Sequence, residues 1–188
     1  MQVQIGISNH HVHLTKEDFE ILFGVGKTLD NIKDLKQPGQ YASAFKVDIK
    51  TEKNTIKGLR ILGPLRSYTQ VEISKTDSYI LGINPPVRES GNLKQASTIT
   101  IVGPNGELTK PCAIIANRHI HIDHKTREEL GLIDIDEVKV SIGGEKGVTL
   151  EHVSIKEQEP SYFEMHLDTD DANSSLTKQD DFATIIKY

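Results

Sequence analysis

The sequence lacks most of the features that announce a function outright. It holds one cysteine in 188 residues, so no disulfide closes within the chain and no cysteine-rich zinc module can be built. No window approaches the roughly 18 consecutive apolar residues of a membrane span, and the N-terminus lacks the basic-then-apolar plan of a signal peptide. Charge is only weakly one-sided. The 22 basic and 27 acidic residues leave −5 with histidine neutral, which excludes a global basic field for nucleic acid or an anionic membrane but leaves room for a local basic pocket. These absences describe a soluble protein of a reducing compartment, long enough to bury its own core as one domain or two small ones. The cysteine, Cys112, lies between Pro111 and the apolar run Ala113-Ile114-Ile115 and reads as a buried structural thiol. The residues that then need explaining are the eight histidines.

The chain reads as many short strands and few helices. Period-two or β-branched runs predict strands at 3–8, 45–51, 56–62, 98–102, 137–142 and 148–155. Turn chemistry separates them at Gln37-Pro38-Gly39-Gln40, Gly63-Pro64, Pro85-Pro86, Gly103-Pro104-Asn105-Gly106 and Gly143-Gly144. Asn105-Gly106 is expected to make a two-residue hairpin turn. No helix pattern follows Gly143-Gly144, so a hairpin turn is expected there rather than a phosphate cradle. The ending 182–188 reads as a closing strand, and this spacing of strands suggests barrels or sandwiches.

An internal repeat is the most informative feature. Ser8-Asn9-His10-His11-Val12-His13-Leu14 returns 108 positions later as Ala116-Asn117-Arg118-His119-Ile120-His121-Ile122. Each copy runs into a short helical pattern, Thr15 to Gly24 in the first and Asp123 to Gly131 in the second, with cap residues at the start and glycine at the stop. Looser versions follow Val71-Glu72-Ile73-Ser74, where Ser74 and Asp77 form a capping pair, and Met165-His166-Leu167-Asp168. Four strand-to-helix corners, each with polar residues inside an apolar strand, predict a mainly β fold of two related barrels with short capping helices.

Residues at i and i+2 of a strand face the same way, so each His-x-His aims two imidazoles at one point, with Val12 or Ile120 turned into the core. Neutral imidazoles in pairs are good ligands for zinc and similar divalent metals, and a carboxylate such as Glu72 can complete a set. His124 and His152 fall outside this geometry and are expected at the surface. His10 neighbours His11 on the strand and is expected to point away from any metal. Arg66 follows Gly63-Pro64 close to Glu72, and Arg88 follows Pro85-Pro86; both are candidate anion sites.

Together these motifs resemble the PduL-type phosphotransacylases, also called phosphate propanoyltransferases, from Val3 to about Ser175. The resemblance is carried by Ser8-Asn9-x-His11-Val12-His13-Leu14, Asp34-Leu35-x-Gln37-Pro38-Gly39-Gln40, Ile61-Leu62-Gly63-Pro64-Leu65-Arg66 and Thr69-Gln70-Val71-Glu72-Ile73-Ser74. It continues through Pro86-Val87-Arg88-x-Ser90-Gly91, Arg118-His119-Ile120-His121 and Glu164-Met165-His166-Leu167-Asp168-Thr169-Asp170. It implies two β-barrel domains, two metal ions (zinc in the family), and transfer of a short acyl group, propanoyl or acetyl, between coenzyme A and phosphate. By the same resemblance His11, His13 and Glu72 hold the first metal and His119, His121 and His166 the second. Arg66 is the phosphate-site arginine, and Ser8, Lys33, Arg60, Leu62 and Asn173 line the coenzyme A side. The expected division is 1–9 with 117–188 for one barrel and 10–116 for the other, with the metal site and substrate pocket between them. One departure stands out: the family pattern carries arginine where this chain has His10, while Arg118 is kept.

Phosphate is a weak nucleophile, so the site must hold two anions together. Arginine offers a planar fork that matches phosphate and cannot lose its charge. The histidine constellation alone also fits a binuclear hydrolase or a non-catalytic metal- or ligand-binding module. Members packed into bacterial microcompartments carry an N-terminal targeting extension. Here the first strand begins at Val3, which leads to the expectation of a cytoplasmic enzyme. Its expected partners are coenzyme A or acyl-coenzyme A, phosphate and acyl phosphate, with no nucleic acid and no membrane. Homo-oligomerisation is compatible with the sequence but not specified by it.

Overall fold

The computed structural model describes residues 1–188. In chain order it comprises β1 (Gln2–Ser8), β2 (His11–His13), α1 (Lys16–Phe23), β3 (Lys33–Asp34), β4 (Tyr41–Lys50), β5 (Thr55–Gly63), β6 (Gln70–Glu72), α2 (Lys75–Leu81) and β7 (Val87–Arg88). There follow β8 (Ser97–Val102), β9 (Glu107–Ala116), β10 (His119–Ile122), α3 (His124–Glu129), β11 (Glu137–Ile142), β12 (Val148–Glu157), β13 (Glu164–Asp168), α4 (Thr169–Ser175) and β14 (Phe182–Ile186). The fold is mainly β, with two closed barrels and four short helices, as the repeat predicts. Two compact units divide the chain, Met1–Asn9 with Asn117–Tyr188, and His10–Ala116.

In the first unit the ring order is β1-β13-β10-β12-β11-β14, and β14 pairs back onto β1 through Val3↔Ala183. The C-terminal segment is therefore a closing strand. Alternation drives the inside–outside split: Val138, Val140 and Ile142 of β11 and Ala183 and Ile185 of β14 are buried while their neighbours are not. They meet Val3, Ile5, Ile120, Ile122, Met165 and Leu167 in one apolar cluster. Each large aliphatic side chain buried this way contributes about 1.5–3 kcal/mol.

The second unit closes through β4-β5-β2-β6-β9-β8, because β8 pairs with both β9 and β4. The short strands β3 and β7 are added at its margins, on β4 and β9. Its core gathers Val12, Leu14, Phe19, Leu22, Ile49, Leu59, Ile61, Val71, Ile99 and Ile101. Cys112 belongs to this cluster and is buried. Burial in apolar surroundings pushes its thiol up to about 12.

Each helix starts at a strand end with a side-chain cap. Ser74 and Asp77 form a full capping box on α2. Thr15 caps α1 through the Asp18 N–H at 3.1 Å, but the Asp18 carboxylate does not return to Thr15. Buried, it accepts instead from the Thr69 hydroxyl and from Lys110 Nζ at 2.5 Å. Asp123 and Asp168 cap α3 and α4.

The 103–106 hairpin differs from expectation. Val102 pairs with Glu107, so the loop has four residues, closed by the Gly103 N–H donating to the Gly106 carbonyl at 2.9 Å. Its glycines serve proximity: a Cβ on Gly103 would meet Leu22 O at 2.5 Å, and one on Gly106 would meet Ile21 O at 2.9 Å. The turn is shaped by the C-terminal end of α1 lying against it. The Gly143-Gly144 turn is a hairpin between Ile142 and Val148, with Gly144 at φ 99°.

Candidate metal centres and a guanidinium site

The same four-cornered arrangement occurs once in each barrel. In the second unit, β2 lies antiparallel to β6 with His11 opposite Glu72 and His13 opposite Gln70. In the first, β10 lies antiparallel to β13 with His119 opposite His166 and His121 opposite Glu164. Residues opposite one another on paired strands share a face, so register brings a third polar group to each His-x-His. The outcome is two clusters, His11/His13/Glu72 and His119/His121/His166, each with its ligand atoms within 4.8 Å of one another. All six sequence-predicted ligand candidates are thus brought together, three in each unit.

The donor chemistry fits a divalent metal. His11 Nε2 lies 3.5 Å from Glu72 Oε2, His13 Nε2 4.0 Å from Glu72 Oε1, and His119 Nε2 3.0 Å from His121 Nε2. Ligands about 2.0–2.1 Å from a tetrahedral zinc stand roughly 3.3 Å apart. Three histidines, or two histidines and a glutamate, are both ligand sets of catalytic zinc with an open position. Two imidazoles have their remaining nitrogen on a backbone carbonyl: His13 Nδ1 on Leu62 O at 3.3 Å and His119 Nδ1 on Asn117 O at 2.8 Å. A proton held on Nδ1 leaves the lone pair on Nε2, the atom turned toward the cluster. His121 Nδ1 is buried with no hydrogen-bond partner. Burial, then the charges of His119, His166 and Lys156, lowers the His121 pKa to about 2. Burial also lowers that of His13, with His11 and Arg66 adding to it against the opposing pull of Glu72 and the Leu62 carbonyl. Both rings therefore stay neutral, the form that binds a metal.

Sequence reading missed several neighbours. Tyr162 stacks on His121 with ring centroids 5.1 Å apart, and its hydroxyl lies 2.8 Å from His166 Nε2. Burial, then the charge of Glu164, raises its pKa, so the phenol keeps its proton. Glu164 is 4% exposed, with Oε1 3.2 Å from His166 Nε2. Period two could have found Glu164 and Gln70, since each stands two residues from a ligand candidate on its own strand.

Arg66 is half-buried in the second unit and donates to three groups: Tyr68 Oη at 2.8 Å, Ser90 Oγ at 3.2 Å and Gln40 Oε1 at 3.0 Å. All three are neutral, so none of these hydrogen bonds pairs the guanidinium with a carboxylate. Ser90 and Gln40 reach it from separate loops, which no local sequence pattern signals. Arg88 behaves differently. Its guanidinium donates to the carbonyls of Val87 and Lys94 and to Gln95 Oε1, tying its own loop rather than facing a ligand.

His10 turns to Asp77 Oδ2 at 3.1 Å, while His124 and His152 are exposed and paired with Glu157 and Glu137. Ser8 ends β1 and Asn173 lies on α4 in the first unit; Lys33 is on β3 and Arg60 and Leu62 are on β5 in the second. Arg60 stands in register with His11 and donates to Ser43 O at 2.5 Å. No helix is long and apolar enough to cross a membrane.

Comparison with known proteins identifies the family. The family profile described as phosphate propanoyltransferase matches residues 4–178. A phosphate propanoyltransferase of Rhodopseudomonas palustris is 46% identical over 99% of this chain and 83% of its own length. One from Thermotoga maritima is 46% identical over 98% and 89%, and one from Salmonella typhimurium 43% identical over 92% and 83%. With the match running through both barrels and all six ligand candidates, the chain belongs to the phosphate propanoyltransferase family.

Proposed function

We propose that the protein is a phosphate acyltransferase that interconverts a short-chain acyl-coenzyme A plus phosphate with an acyl phosphate plus coenzyme A, the acyl group being propanoyl or acetyl. The observation that carries this reading is Arg66: a guanidinium held by neutral partners only, near enough to His13 to lower its pKa. A fixed fork hydrogen-bonded to no carboxylate, beside a metal-competent cluster, suits phosphate, which a cluster for water activation alone would not need.

In the proposed reaction a phosphate oxygen forms a bond to the acyl carbon, the C–S bond breaks, and the electron pair leaves with the coenzyme A sulfur. Arg66 binds and orients phosphate against the repulsion of a second anionic substrate. His11, His13 and Glu72 would hold one divalent ion and His119, His121 and His166 another, zinc being the best match to the donor sets. Such ions supply Lewis acidity for the thioester carbonyl and a soft partner for the departing thiolate. Burial keeps His13 and His121 neutral and ready as ligands. Ser8, Lys33, Arg60, Leu62 and Asn173 are assigned to coenzyme A on the family resemblance.

The test is release of coenzyme A from propanoyl- and acetyl-coenzyme A with and without phosphate, alongside metal analysis. Phosphate-dependent release with acyl phosphate formed supports transfer, whereas release without phosphate identifies a hydrolase, and metal retained without turnover a binding module. Arg66→Ala is expected to keep its metal and raise the phosphate KM about 10- to 100-fold, the loss of one charge-assisted contact. Unchanged phosphate kinetics overturn its role. His119→Ala is expected to lose activity and the metal of its own cluster.

A further inference from the structure

Gln70 occupies the fourth corner of the arrangement that holds His11, His13 and Glu72, opposite His13 on the paired strand. It is fully buried, and a buried amide is costly unless its polar atoms are bonded. Every one of them is. Nε2 donates to Glu72 Oε1 at 2.6 Å and to Ser90 Oγ at 2.8 Å, and Oε1 accepts from the Gly91 N–H at 2.8 Å. Ser90 Oγ also accepts from Arg66 at 3.2 Å. The direction of this chain is fixed by chemistry. Arginine and a backbone N–H can only donate and an ionised carboxylate can only accept, so the amide has one workable orientation.

We propose that Gln70 is a positioning residue that couples the two halves of the site, orienting the Glu72 carboxylate toward His11 and His13 while pinning the Ser90-Gly91 loop that holds Arg66. This rests on the metal and phosphate roles given above. The corresponding corner of the other barrel supports it. There Glu164 stands opposite His121 with Oε1 3.2 Å from His166 Nε2. The two corners have opposite polarity: an amide donor meets a carboxylate in one barrel, and a carboxylate meets an imidazole in the other. Each corner residue is matched to its own neighbour rather than to a generic core position.

Gln70→Met keeps length and approximate volume but removes every hydrogen bond. Metal-ligand partners of this kind change affinity by about 10–100-fold, so zinc binding, read by competition with a chelating dye, should weaken by that much at one site and not at the other. The phosphate KM should rise about tenfold, and the rise should largely vanish in an Arg66→Ala background because both changes act through one guanidinium. Ser90→Ala cuts only the arm toward Arg66: phosphate KM should rise with zinc affinity unchanged. A folded Gln70→Met variant with zinc affinity and phosphate KM both within about twofold of the parent overturns the proposal, as does an effect on KM that adds in full to Arg66→Ala. Should Gln70→Met fail to fold, an unchanged phosphate KM in Ser90→Ala overturns the coupling. Parent protein that binds no zinc or shows no phosphate-dependent transfer defeats the underlying reading, and the inference with it. Parent protein that does both isolates any failure to Gln70.

Discussion

Replacing Gly6 by alanine tests how tightly the His119/His121/His166 cluster is packed. Gly6 lies in β1 in register with His166. Its φ is outside the left-handed region, so alanine meets no backbone barrier, and relief of glycine's entropy cost alone would add roughly 0.5–1 kcal/mol to stability. Space decides otherwise. A Cβ at Gly6 would stand 2.3 Å from Glu164 Oε1 and 3.0 Å from both Glu164 Cδ and His166 Cδ2. The Glu164 carboxylate would have to move by about an ångström, to ordinary contact distance, in a place where it is 4% exposed. That movement breaks its 3.2 Å contact with His166. Overpacking in an interior costs about 1–3 kcal/mol and loss of a buried hydrogen bond a similar amount. Net destabilisation of roughly 1–5 kcal/mol is therefore expected, read as a lower urea midpoint, with zinc affinity of this cluster weakened about tenfold. Gly143→Ala is the control, since nothing stands within 4 Å of its Cβ and its φ is unexceptional; it should be neutral or slightly stabilising. Equal urea midpoints and zinc affinities for Gly6→Ala and the parent would refute the packing argument.

Two further outcomes follow from burial. Metal-free protein should lose stability as pH falls below about 6.5: His13 and His121 stay neutral when folded but take up protons when unfolded, so the unfolded state gains protons and becomes favoured. The slope is at most ~1.4 kcal/mol per pH unit for each ring, and urea titrations of chelator-treated protein at successively lower pH check it; stability constant or rising toward acid contradicts the sign. Cys112, with its thiol pushed up to about 12, should resist alkylation at mild alkaline pH in folded protein and label fully in denaturant. A mass shift on the folded chain would show that the thiol is reachable.

Much of the candidate site was legible because it rides on a local rule. Period two puts His11 with His13 and His119 with His121 on one face, and the repeat marks Glu72 and His166 as polar residues in strands of the same kind. That Glu72 stands opposite His11, and His166 opposite His119, is a matter of register between strands 61 and 47 residues apart in sequence, which no local pattern encodes. The loops show the same limit. Gln40, Tyr68 and Ser90 converge on Arg66 from scattered positions, and Arg88, a similar cation after a proline turn, is consumed by its own loop. The 103–106 hairpin carries the residues of a tight two-residue turn, yet its glycines answer to the end of α1.

The departure at position 10 also acquires a physical account from the repeat. Arg118 Nη2 reaches Asp171 Oδ1 at 3.0 Å, and His10 Nδ1 reaches Asp77 Oδ2 at 3.1 Å. Asp77 and Asp171 hold the same place, three residues after the caps Ser74 and Asp168 of the helices that follow β6 and β13. In both barrels, then, the basic residue before His-x-His fastens that strand to the helix beyond the third ligand candidate. Burial raises the Asp77 carboxyl, but hydrogen bonds from His10 and from Ser74 outweigh it and hold its pKa below the usual value. Histidine at position 10 thus makes the same strand-to-helix contact that Arg118 makes in the other barrel. His10→Ala should lower stability by about 0.5–1.5 kcal/mol, the worth of one such bond, and leave zinc stoichiometry and phosphate KM unchanged. His10→Arg, which restores the pairing found at Arg118, should recover the stability. A many-fold rise in phosphate KM in His10→Ala, without loss of stability, would instead assign position 10 to the ligand and break the equivalence of the two contacts.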